Sequence, residues 1–267
     1  MSADNQTTKP PVRIVPAATI LLVRDGAAAV EVFMVKRHHQ IDFASGALVF
    51  PGGKLAPGDS DPRLRGLIDG ADAFNDDELA LAACAIREAF EESGILLARR
   101  PGSAELLSGD EVIALDEHRV PLNAEKLALA DFLEANGIRL AADRLVRFAR
   151  WITPDMMPKR FDTWFFIAAA PEGQLGAHDG YESVDSVWVT PEQAIAEPER
   201  WTVIFPTRMN LLKLGKSASA EAAIAAAAST PIVTVTPWVE PREGGAVLRI
   251  QPDAGYGDPH EPLSNIR

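Results

Sequence analysis

A glycine pair followed by three carboxylates at helical spacing constrains this chain more than any other feature. Phe50-Pro51-Gly52-Gly53-Lys54 opens the stretch, and Arg87-Glu88-Ala89-Phe90-Glu91-Glu92-Ser93-Gly94-Ile95 closes it. On a helix, Glu88, Glu91 and Glu92 stand at i, i+3 and i+4, so their carboxylates project from one face. Like charges so placed cost about a few tenths of a kcal/mol per pair unless a cation sits among the oxygens. Hard divalent ions such as Mg²⁺ or Mn²⁺ prefer such oxygen-rich sites. A solvated helix face is the ordinary reading of a charge run, but the neighbours argue against it. The apolar run Leu48-Val49-Phe50 leads into Gly52-Gly53, where a chain leaving a strand brings bare backbone close to a ligand. Gly94 stands where a C-cap glycine ends a helix.

The patterning around this stretch predicts the other elements. Residues 12–24 and 30–37 are apolar, β-branched runs about Asp25-Gly26 and read as a strand pair. Asn75 or Asp76 caps a helix over 77–92, whose buried stripe is Leu79, Ala82, Ala83, Ile86, Ala89 and Phe90 and whose other face carries the carboxylates. A helix over 124–136 closes at Gly137, strands follow at 145–153, 161–168 and 182–189, and Thr190-Pro191 starts a further helix. Helices at 207–214 and 219–228 precede a terminal strand pair, 232–239 and 246–250, placed at an edge by Pro237 and Pro241. Residues from Pro252 on read as extended. The order suits a mixed α/β sandwich. It divides into a disordered N-terminus (1–11), a domain over 12–200 and an extension over 201–267 packed on it.

The stretch resembles the box of the Nudix hydrolase family: Gly, five residues, Glu, seven residues, then Arg-Glu-apolar-x-Glu-Glu-x-Gly-apolar. Gly53 matches the first glycine, and Arg87, Glu88, Ala89 or Phe90, Glu91, Glu92, Gly94 and Ile95 match the second half. Asp59 stands where the family has its first Glu, and the segment between Asp59 and Arg87 is longer by roughly twenty residues, read as an inserted loop or short helix at about 60–79. The resemblance implies a Nudix-type α/β/α sandwich with a mixed sheet and a metal-dependent diphosphatase. It implies that Glu88, Glu91 and Glu92 hold Mg²⁺ or Mn²⁺, that Arg87 orients a box carboxylate, and that Gly52 and Gly53 shape the loop beside the substrate. The general base in this family often lies outside the box; Glu182 is the candidate, with Asp185 behind it. Lys36, Arg37, Arg160 and Arg208 are candidate phosphate contacts, equally readable as surface or ion-pair cations.

Beyond the box, the chain is similar to the subgroup that contains the mammalian peroxisomal coenzyme A diphosphatases. The resemblance is carried by Lys36-Arg37, residues 45–53, Asp59 and Asp61, 150–154 and 159–163. It implies coenzyme A or acyl-coenzyme A as substrate. ADP-ribose, a dinucleotide or a nucleotide sugar would be cleaved by the same groups, and a non-catalytic nucleotide-binding module is the reading from another class.

Composition sets limits on the rest. A formal charge of −12 argues against a nucleic-acid polymer as partner, since counterion release needs clustered Lys and Arg. Cys84 is the one cysteine, so neither an intrachain disulfide nor an all-cysteine zinc site is available, and its apolar surroundings make it a core residue. His38 and His39 are adjacent and point to opposite sides of an extended chain, which disfavours a shared ion. The N-terminus lacks an apolar signal core, the C-terminus is not a Ser-Lys-Leu-type address, and no apolar run spans a bilayer, so a cytoplasmic location without membrane attachment is expected. The family resemblance implies a small-molecule diphosphate as partner, and a homodimer is compatible with such a chain.

Overall fold

The computed structural model describes residues 12–37, 46–174, 183–257 and 259–265. The first part of the chain gives β1 (Ile14–Asp25), β2 (Val30–Arg37), β3 (Leu48–Val49), β4 (Gly52–Lys54), α1 (Leu64–Leu67) and β5 (Ile68–Asp69). The long helix α2 (Asp76–Ser93) follows, then β6 (Ala98–Arg99), α3 (Gly109–Ile113), α4 (Arg119–Asn123), α5 (Leu129–Asn136) and β7 (Arg139–Ala141). Next come β8 (Val146–Ile152), β9 (Arg160–Ala169), β10 (Ser183–Val189), α6 (Pro191–Ala196), α7 (Phe205–Leu214) and α8 (Ala220–Ser229). The chain ends with β11 (Thr234–Val235), β12 (Trp238–Glu240), β13 (Val247–Arg249) and β14 (His260–Pro262).

The main sheet has the order β10-β2-β1-β9-β8-β11, with β3 beside β2 and β4 beside β1. It is mixed. β1 and β9 pair in parallel from Ile14↔Arg160 to Val23↔Ala169, whereas β2, β4, β8 and β10 pair antiparallel with their neighbours. Only Val23–Asp25 of β1 bond to β2, and β4 takes Ala17–Thr19 on that same edge. The two first strands therefore splay, and the glycine segment fills the opening, tied by Ile20 N–H to Pro51 O at 2.9 Å. Strand alternation builds the layers. Ala18, Ile20, Leu22, Phe33, Val35, Phe166 and Ala168 pack on one face with α2 and α5. Leu21, Val23, Val32, Met34, Phe165 and Ile167 pack on the other with α6, α7 and α8. This is the expected α/β/α sandwich.

Helix α2 starts at a reciprocal cap: Glu78 N–H donates to Asn75 Oδ1 at 2.9 Å and Asn75 N–H to Glu78 Oε2 at 3.3 Å. It stops at Gly94, whose φ of 68° a side chain would resist. One expectation fails. Instead of a buried stripe of six apolar residues on one face only, every residue from Leu79 to Ser93 is buried, the carboxylate face included. Helix α5 and the segment after α2 cover the upper side, with Phe90 stacked on Phe132 at 5.6 Å.

The inserted segment is more than a loop or short helix. It supplies α1, β5 and the first turns of α2, and β5 pairs in parallel with β7, whose other edge takes β6. Asp69 accepts from Arg139 Nε at 2.5 Å, which fastens the insertion to β7. The helix expected over 124–136 is shorter: Glu125 takes φ 53°, a left-handed turn that separates α4 from α5. The expected terminal strand pair also differs. β11 joins β8 in parallel at the edge of the main sheet, the chain turns at Pro237, and β12, β13 and β14 form a separate antiparallel sheet. The residues after Pro252, expected to be extended, thus contribute a 3-10 turn and β14. Among the described residues no helix is long and apolar enough to cross a membrane.

Candidate active site

The last turns of α2 lie against β4 and the turn that follows it. Arg87 is shared among three acids. Its Nε and Nη2 donate to Asp59 Oδ1 and Oδ2 at 2.7 and 2.8 Å, and Nη1 donates to Glu88 Oε1 and Glu91 Oε2, both at 2.9 Å. Nη2 also reaches Lys54 O at 3.2 Å. Asp59 is 2% exposed, and its Oδ2 accepts Ala56 N–H at 2.8 Å, so one carboxylate closes the turn after β4 and clamps Arg87 from two sides. The shorter acid in the family's Glu position serves as a buried fork partner.

Gly52 N–H donates to Glu92 Oε2 at 3.0 Å, joining the glycine segment to the helix. A Cβ on Gly52 would lie 2.5 Å from Ala18 O and 2.6 Å from Thr19 Cα, which only a bare backbone avoids. A Cβ on Gly53 would meet the Glu88 carboxylate at 2.4–2.6 Å. Since that obstacle is the end of a flexible side chain, Gly53→Ala is expected to shift the melting temperature by only a few degrees, on the order of a 1 kcal/mol change. Glu88 must nevertheless leave its place on Arg87, and turnover should fall by about tenfold or more, an effect of the size seen when a ligand's support is lost. Comparing thermal unfolding with initial rates checks this; unchanged rates would show that Glu88 needs no fixed position.

The burial of these acids sets their charge. Glu91 is 2% exposed, and burial pushes its carboxyl up to about 8; Arg87 opposes this and Glu88 adds to it. Glu91 Oε1 is buried with no hydrogen-bond partner among the described residues. A buried oxygen in that condition costs about 1–3 kcal/mol. A divalent cation is a physical remedy, and carboxylate oxygens are the donors hard cations take. Among the described residues, no three His, Cys, Asp or Glu side chains already stand as a formed metal cage. The donor set therefore fits a hard divalent cation in chemistry, and the side chains would have to turn to meet one.

The family model for the NUDT19 Nudix domain matches residues 69–207. The chain belongs to the Nudix hydrolase family. It is 28% identical to the acyl-coenzyme A diphosphatase NUDT19 of Xenopus laevis, over 66% of this chain and 57% of that protein. The chain spans about half the length of the curated relatives it matches, 48% of one and 57% of the other. Among solved structures, a Nudix hydrolase from Alicyclobacillus acidocaldarius superposes with a TM-score of 0.66 at 28% identity, covering 82% of this chain and 99% of that one.

The Nudix fold brings together Gly52, Gly53, Arg87, Glu88, Glu91 and Glu92, but not every candidate. Lys36 stands in register with Leu48 and Asp185, and strand alternation puts it on the face of Met34, opposite α2. Arg160 donates from Nε to Thr153 O at 3.0 Å and pairs with Asp155 at 2.6 Å, which engages it at the hairpin between β8 and β9. Arg208 pairs with Glu261 and lies over Phe205. Asp185 is exposed and accepts Ser186 N–H at 2.9 Å. Glu182, His38, His39 and the side chain of Arg37 lie outside the described residues. Cys84 is buried, its thiol pushed up by burial and by Asp59, as suits a core residue. One contact was not read from the sequence: Arg119 of α4 donates from Nε to the backbone oxygen of Glu91 at 3.1 Å. No spacing rule connects two residues 28 positions apart, so only the tertiary fold shows it.

Proposed function

We propose that this chain is a metal-dependent Nudix hydrolase that cleaves the diphosphate linkage of a nucleoside diphosphate derivative, with coenzyme A or acyl-coenzyme A as substrate. The observation that carries the reading is the buried, unpartnered Glu91 Oε1 among carboxylates packed against bare glycine backbone. Glu88, Glu91 and Glu92 would hold Mg²⁺ or Mn²⁺. Such an ion, when bound, neutralises the diphosphate and lowers the pKa of a coordinated water. The chain's own groups do the rest. Arg87 and Asp59 hold Glu88 and Glu91 in orientation, and Glu92 anchors Gly52, fixing the glycine backbone against the carboxylates. Glu182 is the proposed general base, and Arg37 the proposed phosphate contact of the Lys36-Arg37 pair. The coenzyme A half rests on the similarity to the Xenopus protein and on the residues outside the box. The cytoplasmic location and the homodimer belong to the same proposal.

Incubation with Mg²⁺ or Mn²⁺ and a panel of coenzyme A, acyl-coenzyme A, ADP-ribose, NADH and diadenosine polyphosphates, with products read by mass, tests it. Adenosine 3′,5′-bisphosphate from coenzyme A is expected. Cleavage of another member only would keep the chemistry and discard coenzyme A; no turnover together with no divalent-ion binding would favour a nucleotide-binding module.

A further inference from the structure

The last turn of α2 is placed against its own electrostatics. Glu91 and Glu92 sit at the negative end of the helix dipole, and that turn contains no basic residue. Its terminal carbonyls need donors from elsewhere. Ser93 Oγ donates to Ala89 O, and Gly94 N–H donates to Phe90 O at 2.9 Å. The carbonyl of Glu91 receives its donor from outside the helix, from Arg119 Nε at 3.1 Å.

Arg119 is itself held. Its Nη1 donates to Asp116 Oδ1 at 2.8 Å, and its side chain is 12% exposed. A Cβ on Gly94 would stand 3.3 Å from Nη1, so the C-cap glycine serves both the left-handed turn and the passage of this guanidinium. The preceding residue, His118, meets Phe132 edge-on at 5.3 Å, and Phe132 stacks on Phe90, the neighbour of Glu91. Arg119 is thus fixed to the same packing unit as the carboxylate turn.

We infer that Arg119 is a positioning residue for the carboxylate site: it holds the backbone of Glu91, and so the turn from which the Glu91 and Glu92 side chains would reach a divalent cation. This rests on the metal-dependent reading above. Two physical effects of removing it have opposite signs. By Coulomb's law alone, taking a cation away from carboxylates tightens divalent-ion binding. Releasing the turn that aims the carboxylates weakens it.

The experiment is Mn²⁺ binding to the full chain, followed by electron paramagnetic resonance of the free ion, for wild type, Arg119→Gln and Arg119→Lys, with near-ultraviolet circular dichroism as a check of folding. Arg119→Gln is expected to raise the Mn²⁺ dissociation constant by about tenfold, the lower end of what loss of a ligand's support costs. Arg119→Lys, which keeps the charge at the helix end but lacks the fixed Nε donor, is expected to fall between the two and supplies the answer if the Gln variant does not fold. Affinity equal to or tighter than wild type in the folded variants, even with a lowered melting temperature, would overturn the inference and leave the metal reading intact. Absence of Mn²⁺ binding by the wild type would overturn the metal reading and this inference with it.

Discussion

Arg87→Met is expected to destabilise the protein by about 3–5 kcal/mol, the cost of removing one partner from a buried ion cluster. The reason is geometric. Arg87 is the donor shared by Asp59, Glu88 and Glu91, and Asp59 and Glu91 are each 2% exposed. Without the guanidinium those carboxylates must either be protonated or draw water into the core beside Cys84 and Lys54. Lysine is a poor substitute, because a single ammonium cannot present the planar fork that meets both oxygens of Asp59 while reaching two glutamates. Urea unfolding of Arg87→Met, Asp59→Leu and the double variant reads the coupling directly. Since an apolar pair of similar volume is tolerated where a lone buried charge is not, the double variant should lose at least about 1 kcal/mol less than the sum of the singles. Strict additivity would show that Asp59 and Arg87 do not depend on each other.

That cluster also shows what the sequence disclosed and what it withheld. The helical spacing of Glu88, Glu91 and Glu92, the cap at Asn75 and the stop at Gly94 are local properties, set by 3.6-residue periodicity and terminal hydrogen bonding, and the fold realises them at α2 (Asp76–Ser93). The glycine pair was legible for the same reason: bare backbone has few other uses beside an apolar run. Burial of the acidic face was not legible. It depends on the glycine segment of β4, on Asp59 in the turn after it and on Arg119 of α4, which lie 28 to 40 positions from the α2 residues they meet and whose packing no periodicity in α2 encodes. The same limit explains the insertion, whose β5 finds its partner β7 some seventy residues away, between Ile68 and Leu140. It also explains Lys36. A basic pair at a strand end looks like a phosphate contact, but Lys36 shares the face of Met34, away from α2, and the faces can be told apart only once the sheet has helices on it.

Glu91→Gln is expected to reduce turnover of the diphosphate substrate by more than about 100-fold, beyond what loss of an outer-shell partner costs. The substitution keeps the volume and leaves an amide oxygen for Arg87, so the fold should persist. What it removes is the anionic oxygen that has no protein partner. Stability without added metal gives a second reading, independent of turnover. Burial raises the Glu91 carboxyl from an ordinary 4.5 to about 8. The unfolded chain therefore gives up this proton near 4.5 while the folded chain keeps it until about 8. By linkage, Glu91 costs the metal-free fold nothing below pH 4.5, and its cost grows as pH rises toward 8. Glutamine carries no such proton. In chelator, Glu91→Gln should therefore gain on wild type across that window, whereas adding Mg²⁺ or Mn²⁺ at pH 8 should stabilise wild type and leave the variant nearly unmoved. Chemical unfolding at several pH values, with and without metal, checks both signs. A variant that responds to metal as wild type does would place the cation away from Glu91, and a wild type whose metal-free stability tracks the variant across the window would mean that Glu91 is ionised in the fold, with Arg87 sufficient to keep it so.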